Sequence, residues 1–554
     1  MNKLIVKLAT LAALSADRLR AILGLVLATA LISAGLFTQV RASADDEILL
    51  AAGDLDPSFG AAGKVTTDFG VPAQVNTMLI QSDGKLIVAG FVQLPTGNDF
   101  GLARYNPNGS LDTSFGDGGS VATDFSGGDD RALAMALQPD GKIVVAGTAT
   151  TPSGGFDFAL ARYKSNGTLD PSFGSGGKVT SDFSARDDRI LAIVVLPDGR
   201  IVAGGSATNG AGVVSGAFAL YNPDGSLIVK DSDDPADFVS ISAASIQPDG
   251  KLVGAGSTIE GQGPRHDFRL DRSLANLEDD TGFGDQGQVT TDFGGNDDAF
   301  ALALPSNGKL VVAGSSGLAG VTEFAVARYN NNGSLDSSFG SGGKVRTSSL
   351  GSAGKPAFAN AVVVQSDNKI VAVGFSTPGA AGSDFTLLRF NVDGSLDPTF
   401  GSGGKLTTDF FGGDDAVRAA LIQPDGKIVV AGFASQGPGG SRRVAIARYL
   451  SGIGPDFSIG FDQPSVTAER GTKARVTVII TRTGGFTGNV TVTPPDRAGG
   501  IKPKPNAPMT TSDSSVVYKM KIGAGADTGP HDFLFTAKDD AGTTRTATIT
   551  IVVQ

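Results

Sequence analysis

Two histidines, a set of aspartate pairs and one recurring arginine are the residues best suited to chemistry in this chain. His266 sits in "GPRHDFRL" and His531 in "GPHDF". No pair of imidazoles has metal-ligand spacing, and no HExxH, GxSxG or P-loop text occurs. The chain has no cysteine, which removes disulfides, thiolate ligands and cysteine nucleophiles. It has no tryptophan either, and so lacks the best platform for stacking sugars or bases. No catalytic residue is assigned, and both histidines read as surface residues in loop-to-strand transitions.

The aspartates offer more. Asp129-Asp130, Asp187-Asp188, Asp297-Asp298 and Asp414-Asp415 stand where a connection enters an alternating apolar run. Like charges gathered there would raise some carboxyl pKa values and attract cations or a basic partner. The plainer reading is that each pair caps a turn and stays solvated. Together with Arg265 and His266, in a loop of unusual sequence, these eight residues are the candidate ligand-binding set; a metal role is left open.

A second acidic motif points to turns. "NPNGSLD" (Asn106–Asp112) and "NVDGSLD" (Asn391–Asp397) are as oxygen-rich as a calcium loop. However, Lys164 takes the first position in "KSNGTLD", and no bidentate Glu follows. Turn chemistry explains the same Asn, Asp and Gly. The expectation is therefore no cofactor, with calcium as the alternative. The NGS and NGT sequons at Asn108, Asn166 and Asn332 are by-products of the same turns. Arg104, Arg162, Arg328 and Arg448 recur in "ARY". One arginine per repeat implies one structural bond repeated, to an aspartate of "TDF" or "LDP".

The elements that carry these residues repeat. "LIQSDGKLIVAGFV", "ALQPDGKIVVAGTA" and "LIQPDGKIVVAGFA" are three of seven similar texts, spaced by about 58 residues. In the second unit, "DDRALAMALQ" alternates with a period of two, "PDG" turns, and "KIVVAGTA" is apolar throughout. "FDFALARYK" and "KVTSDF" follow, separated by turn-rich "SNGTLDPSFGSGG". Four short antiparallel strands per unit predict an all-β fold, a seven-bladed β-propeller. The repeat begins in outer-strand text, "LDPSFGAAGKVTTDFG" (Leu55–Gly70), and ends in third-strand text, "RVAIARYL". The N-terminal strand should therefore complete the last blade and close the ring, removing open edges. The variable second-to-third-strand loops and the aspartate pairs should share one face, the invariant "PDGK" and "LDP" turns the other.

"GSLDPSFGSGGKVTTDF", "ALQPDGKIVVAG" and "DFALARYNPDG" resemble the delta-sixty repeat of bacterial secreted and surface proteins, over about residues 55–450. The resemblance implies a propeller-like exported protein. The third unit, "GSLIVKDSDDPADF", and the fourth, "RLDRSLANLEDDTGFG", depart from the pattern and should be locally irregular.

Residues 1–44 read as a cleaved signal peptide. Lys3, Lys7, Arg18 and Arg20 precede apolar Ala21–Phe37, and Ala42-Ser43-Ala44 offers a cleavage site. An uncleaved anchor is the alternative. A linker at 45–54 leads into the propeller at 55–450. A second linker, 451–456, leads to a β-sandwich at 457–554, which resembles the Ig-like modules of bacterial exported proteins. In it Val476, Val478 and Ile480 share a face, as do Val516, Tyr518, Met520 and Ile522. A net charge of −11 disfavours nucleic acid and anionic lipid. The expectation is a secreted or cell-surface, monomeric, non-enzymatic binding or scaffold protein, with no membrane contact after cleavage and an extracellular ligand or protein partner. The alternatives are an extracellular hydrolase or lyase using carboxylates at the propeller mouth, and a calcium-dependent adhesin.

Overall fold

The structure, a computed structural model, describes residues 51–554 except 152–153, 184–185, 233–239, 260–264, 275, 319–320, 348–354, 378–381, 438, 453–455, 464, 484–485 and 541–543. The leader at 1–44 and most of the first linker lie outside the described residues. Every regular element among the described residues is a strand, and none of them forms a helix long and apolar enough to cross a membrane.

Seven four-stranded antiparallel sheets follow one another along the repeat. We call their strands a to d from the innermost outward. The second sheet is typical, with Arg131–Leu137, Ile143–Thr150, Phe156–Tyr163 and Lys178–Ser181 in chain order. The last sheet differs. Its a, b and c strands are Ala416–Ile422, Ile428–Ser435 and Arg442–Tyr449, and its d strand is Lys64–Thr67 from the start of the repeat. Lys64 pairs with Ala447 and Thr67 with Val444. The first sheet's Ala73–Ile80 also packs on Ala416–Ile422 and Ile428–Ser435 of the last.

Each sheet buries both faces against its neighbours. One core joins Ile87, Phe100 and Phe115 of the first sheet to Ile143, Val145 and Tyr163 of the second. Another joins Phe59, Leu86 and Val88 to Val429 and Ile446 across the first and last sheets. Burying each such side chain contributes about 1.5–3 kcal/mol, which one sheet alone could not collect.

All seven a strands carry a β-bulge at the same position, leaving Asn76, Leu133, Leu191, Ser242, Phe300, Asn360 and Arg418 unpaired. The bulge accounts for the glycine of "VAG". At Gly90, Gly147, Gly205, Gly314, Gly374 and Gly432, a Cβ would collide with an a-strand carbonyl, that of Arg131 in the case of Gly147. Gly147→Ala should therefore cost about 1–3 kcal/mol by overpacking. Gly210→Ala, where a Cβ meets nothing, should be near neutral. Chemical denaturation of both variants checks this; equal effects would contradict it.

The tight a–b turns need a positive φ. Gly141 supplies it at +80°, and Asn368 at +63° in the one copy lacking that glycine. The third sheet is irregular, as its sequence implied. Its d strand, Leu227–Ser232, is exposed throughout. The fourth departs in its c–d turns: Leu277 adopts φ +71° and Gln286 φ +50°, where most other units use glycine.

Beyond the repeat lie two further sheets. One orders Asp456–Phe461, Lys473–Thr483, Ser515–Ile522 and Ile501–Lys504. The other orders Ser465–Ala468, Thr544–Val553, Gly529–Asp539, Val490–Thr493 and Met509–Thr511. They share a core of Val476, Val478, Ile480, Tyr518, Met520, Phe535 and Ile551, containing the faces read from the alternation.

Candidate functional site

On one face the invariant turns converge on an arginine clasp. Arg104, on a c strand, donates from Nε to Asp112 Oδ2 at 2.8 Å, and its guanidinium stacks 4.7 Å from the Phe115 ring. Lys85, from the a–b turn, reaches the same carboxylate oxygen at 3.0 Å. Arg104 Nη1 then donates to the Ser165 carbonyl of the next sheet at 2.5 Å. The same pairing recurs as Arg162–Asp170, Arg272–Asp280, Arg328–Asp336, Arg389–Asp397 and Arg448–Asp56. The repeated arginine thus bonds the "LDP" aspartate, not the "TDF" one. Leu220 takes its place in the third sheet. In the last sheet the clasp joins the two ends of the repeat, since Asp56 precedes the first sheet, and Arg448 also reaches the Pro107 carbonyl at 2.7 Å. Burial alone would raise these carboxyls. For Asp56, Asp170 and Asp336, hydrogen bonds from a serine and a lysine together with the arginine charge outweigh it and hold the pKa at about 2. This face is structural.

The aspartate pairs occupy the other end of the strands, and the structure does not gather them. The second member of three pairs is fully buried. Asp130 accepts the Phe125 N–H at 2.7 Å and the Thr150 N–H at 3.0 Å. Asp188 does the same with Phe183 and Thr208, and Asp415 with Phe410 and Ser435. The first members Asp129, Asp187 and Asp414 accept the backbone N–H groups of Asn98, Phe156 and Ser383. The fourth pair is shifted by one residue. Asp297, not Asp298, is the buried one, accepting the Phe293 N–H at 2.5 Å. Asp298 turns outward and meets His266 Nδ1 at 3.1 Å, each about one-third exposed. Arg265 is exposed, and His531 bonds only the nearby Asp527 carbonyl among the described residues.

Sequence reasoning missed what surrounds the buried aspartates. The recurring "DF" texts place a c-strand aspartate and an aspartate just after the d strand beside each. Four clusters result: Asp99, Asp124 and Asp130; Asp157, Asp182 and Asp188; Asp267, Asp292 and Asp297; Asp384, Asp409 and Asp415. Beside them the two phenylalanines of each "DF" pair stack, as in Phe100–Phe125 at 4.9 Å. Burial, with repulsion from Asp182 and Asp188, pushes Asp157 up to about 6. Burial and, to a smaller extent, Asp409 and Asp384 push Asp415 up to about 7, against its backbone hydrogen bonds.

A third feature lies on the axis of the repeat. All seven bulged residues line one cavity of about 600 Å³, together with Ser240, Phe358 and Phe375. Asn76 Nδ2 and Asn360 Nδ2 donate to the carbonyls of Ala132 and Val417, each just before the neighbouring bulge. Arg418 is the cation of this cavity. Its Nε is buried without a partner, and burial, then repulsion from Arg442, lowers its pKa.

Six segments, residues 81–115, 138–173, 196–227, 306–339, 365–400 and 423–452, match the family model described as "Domain of unknown function (DUF5122) beta-propeller". The chain carries the repeats of a β-propeller family. Each segment runs from an a–b turn to the end of the c strand or beyond, and four of the six contain both the arginine and the aspartate of a clasp. The one unit left unmatched is the fourth. No curated protein matches. Among solved structures, domains 4 and 5 of the S-layer protein SbsC are 17% identical, with 31% of this chain and 90% of that chain covered and a TM-score of 0.14. The fibronectin(III)-like modules of Clostridium thermocellum CbhA are 16% identical, covering 33% and 94%, with a TM-score of 0.13. These superpositions are too loose to bear on fold or function.

Proposed function

We propose that the chain is an exported, non-enzymatic binding or scaffold protein: a closed seven-bladed propeller of delta-sixty repeats with a C-terminal Ig-like module, monomeric and placed outside the cell. The observation that carries this reading is Arg418, a guanidinium with an unpartnered, buried Nε in a cavity otherwise lined by Phe, Leu, Asn and Ser. A buried donor without an acceptor is costly, and a ligand acceptor removes that cost. The cavity suits a small carboxylate with an apolar body, its charge on Arg418 and its body against Phe300, Phe358 and Phe375. The four-fold repetition of the acidic clusters argues against their being a catalytic mouth, since an active site needs one asymmetric set of groups.

Benzoate and neutral benzyl alcohol distinguish the readings. Benzoate should raise the melting temperature of the full chain, benzyl alcohol should raise it less, and Arg418→Leu should abolish the difference. Equal shifts with both probes, or a benzoate shift unchanged in Arg418→Leu, would remove the cavity from the account.

A further inference from the structure

We propose that the three aspartates at each of four junctions between neighbouring sheets bind a calcium ion. The junctions are those of sheets one and two, two and three, four and five, and six and seven. In each cluster, one oxygen per carboxylate lies within 4.8 Å of the other two. An ion placed among three such oxygens lies within about 2.8 Å of all of them, a reach that includes the roughly 2.3–2.6 Å of calcium–oxygen contacts. In the first, second and fourth clusters the middle aspartate is exposed while the a-strand aspartate is buried, and the third follows the same pattern. An ion can therefore arrive from solvent and finish on a buried wall.

Asp99 supplies an observation independent of the clustering. It is 6% exposed and no hydrogen bond or ion pair reaches its carboxylate, which faces those of Asp124 and Asp130. At the second junction Asp157 is half-buried, and its Oδ1 is buried without a partner among the described residues. Burying a carboxylate without a counter-charge is heavily penalised. At the first junction Lys178 donates to the Asp124 backbone carbonyl at 2.9 Å rather than to a carboxylate.

Two of the three remaining junctions carry an arginine instead. Between the seventh and first sheets, Ala73 replaces the buried aspartate and Arg443 the c-strand one, and Arg443 pairs with the remaining Asp68 at 2.8 Å. Between the fifth and sixth, Ala357 replaces the buried aspartate, and Glu323 pairs with Arg346 at 2.9 Å. At these two junctions the chain provides its own cation. At the first and fourth junctions, where all three are present, no arginine or lysine nitrogen among the described residues comes within ion-pair distance of them. These sites share no residue with the central cavity and stand whether or not Arg418 holds a ligand.

The test is calcium titration of the full chain after removal of divalent ions with EGTA, read as bound ions per chain and as melting temperature, up to ~10 mM calcium. Wild type should bind about four ions, one per cluster, and melt several degrees higher, with magnesium weaker. Asp99→Asn should bind one ion fewer, yet melt at least as high as wild type without calcium, because it removes an unpartnered charge. Asp157→Asn should behave likewise. No binding by wild type overturns the proposal, as the lysines would then suffice. An unchanged ion count in both variants also overturns it. So does destabilisation of both variants in the calcium-free state, since the aspartates would then be serving the fold alone.

Discussion

Deleting Leu55–Gly70 should abolish the single cooperative melting transition of the repeat and leave a protein that aggregates. The segment supplies the outer strand of the last sheet, paired from Lys64–Ala447 to Thr67–Val444. It also supplies fully buried Phe59 and the Asp56 carboxylate that holds Arg448 at 2.8 Å. Without it, Arg442–Tyr449 becomes an unpaired, apolar edge, the kind that joins strands of other chains. Arg448 would be left buried and without its carboxylate, a loss of about 3–5 kcal/mol by itself. Calorimetry and light scattering during the melt read both effects. A truncated chain that melts as one transition at the parent temperature would contradict closure.

The second large effect is expected at Asp397. Its partner Arg389 is 2% exposed and donates from Nε at 2.8 Å, with further bonds to Gln365 and Thr399. Asp397→Ala strands that guanidinium and should cost about 3–5 kcal/mol. Replacing both partners, Asp397→Leu with Arg389→Met, should recover much of the loss, because apolar substitutes for a buried pair are often neutral. Lys369, which also contacts Asp397 at 3.0 Å, is long enough to turn to solvent in the double variant. Denaturant titration reads both variants. A single variant within about 1 kcal/mol of the parent would show that the clasp is a surface-like pair of little worth.

Much of this architecture was legible in the chain, and the reasons are local. A two-residue alternation, a "PDG" turn and a fixed period each report on neighbouring residues, so strands, turns and the phase of closure could be read. The clasp was half legible: the arginine recurred visibly, but its aspartate could not be chosen between "TDF" and "LDP" without a register. Arg272 and Arg389 escaped because their texts, "LDRS" and "LLRF", depart from "ARY". The acidic clusters were not legible. Asp99, Asp124 and Asp130 come from two sheets, and only packing brings them together. The pair Asp297-Asp298 looked equivalent to the others, yet a one-residue offset sends one carboxylate inward and the other to His266. The bulges had a signature, the glycine of "VAG", but a glycine in an apolar strand text does not say which neighbouring backbone approaches it.

The most direct test of the account is native-state hydrogen exchange at Lys64–Thr67. If this strand completes the last sheet, its amides should exchange as slowly as those of Arg442–Tyr449 and rise together with them as denaturant is added, one cooperative unit formed from the two ends of the repeat. Exchange at Lys64–Thr67 at the rate of an unstructured peptide, while Arg442–Tyr449 stays protected, would contradict the closed ring.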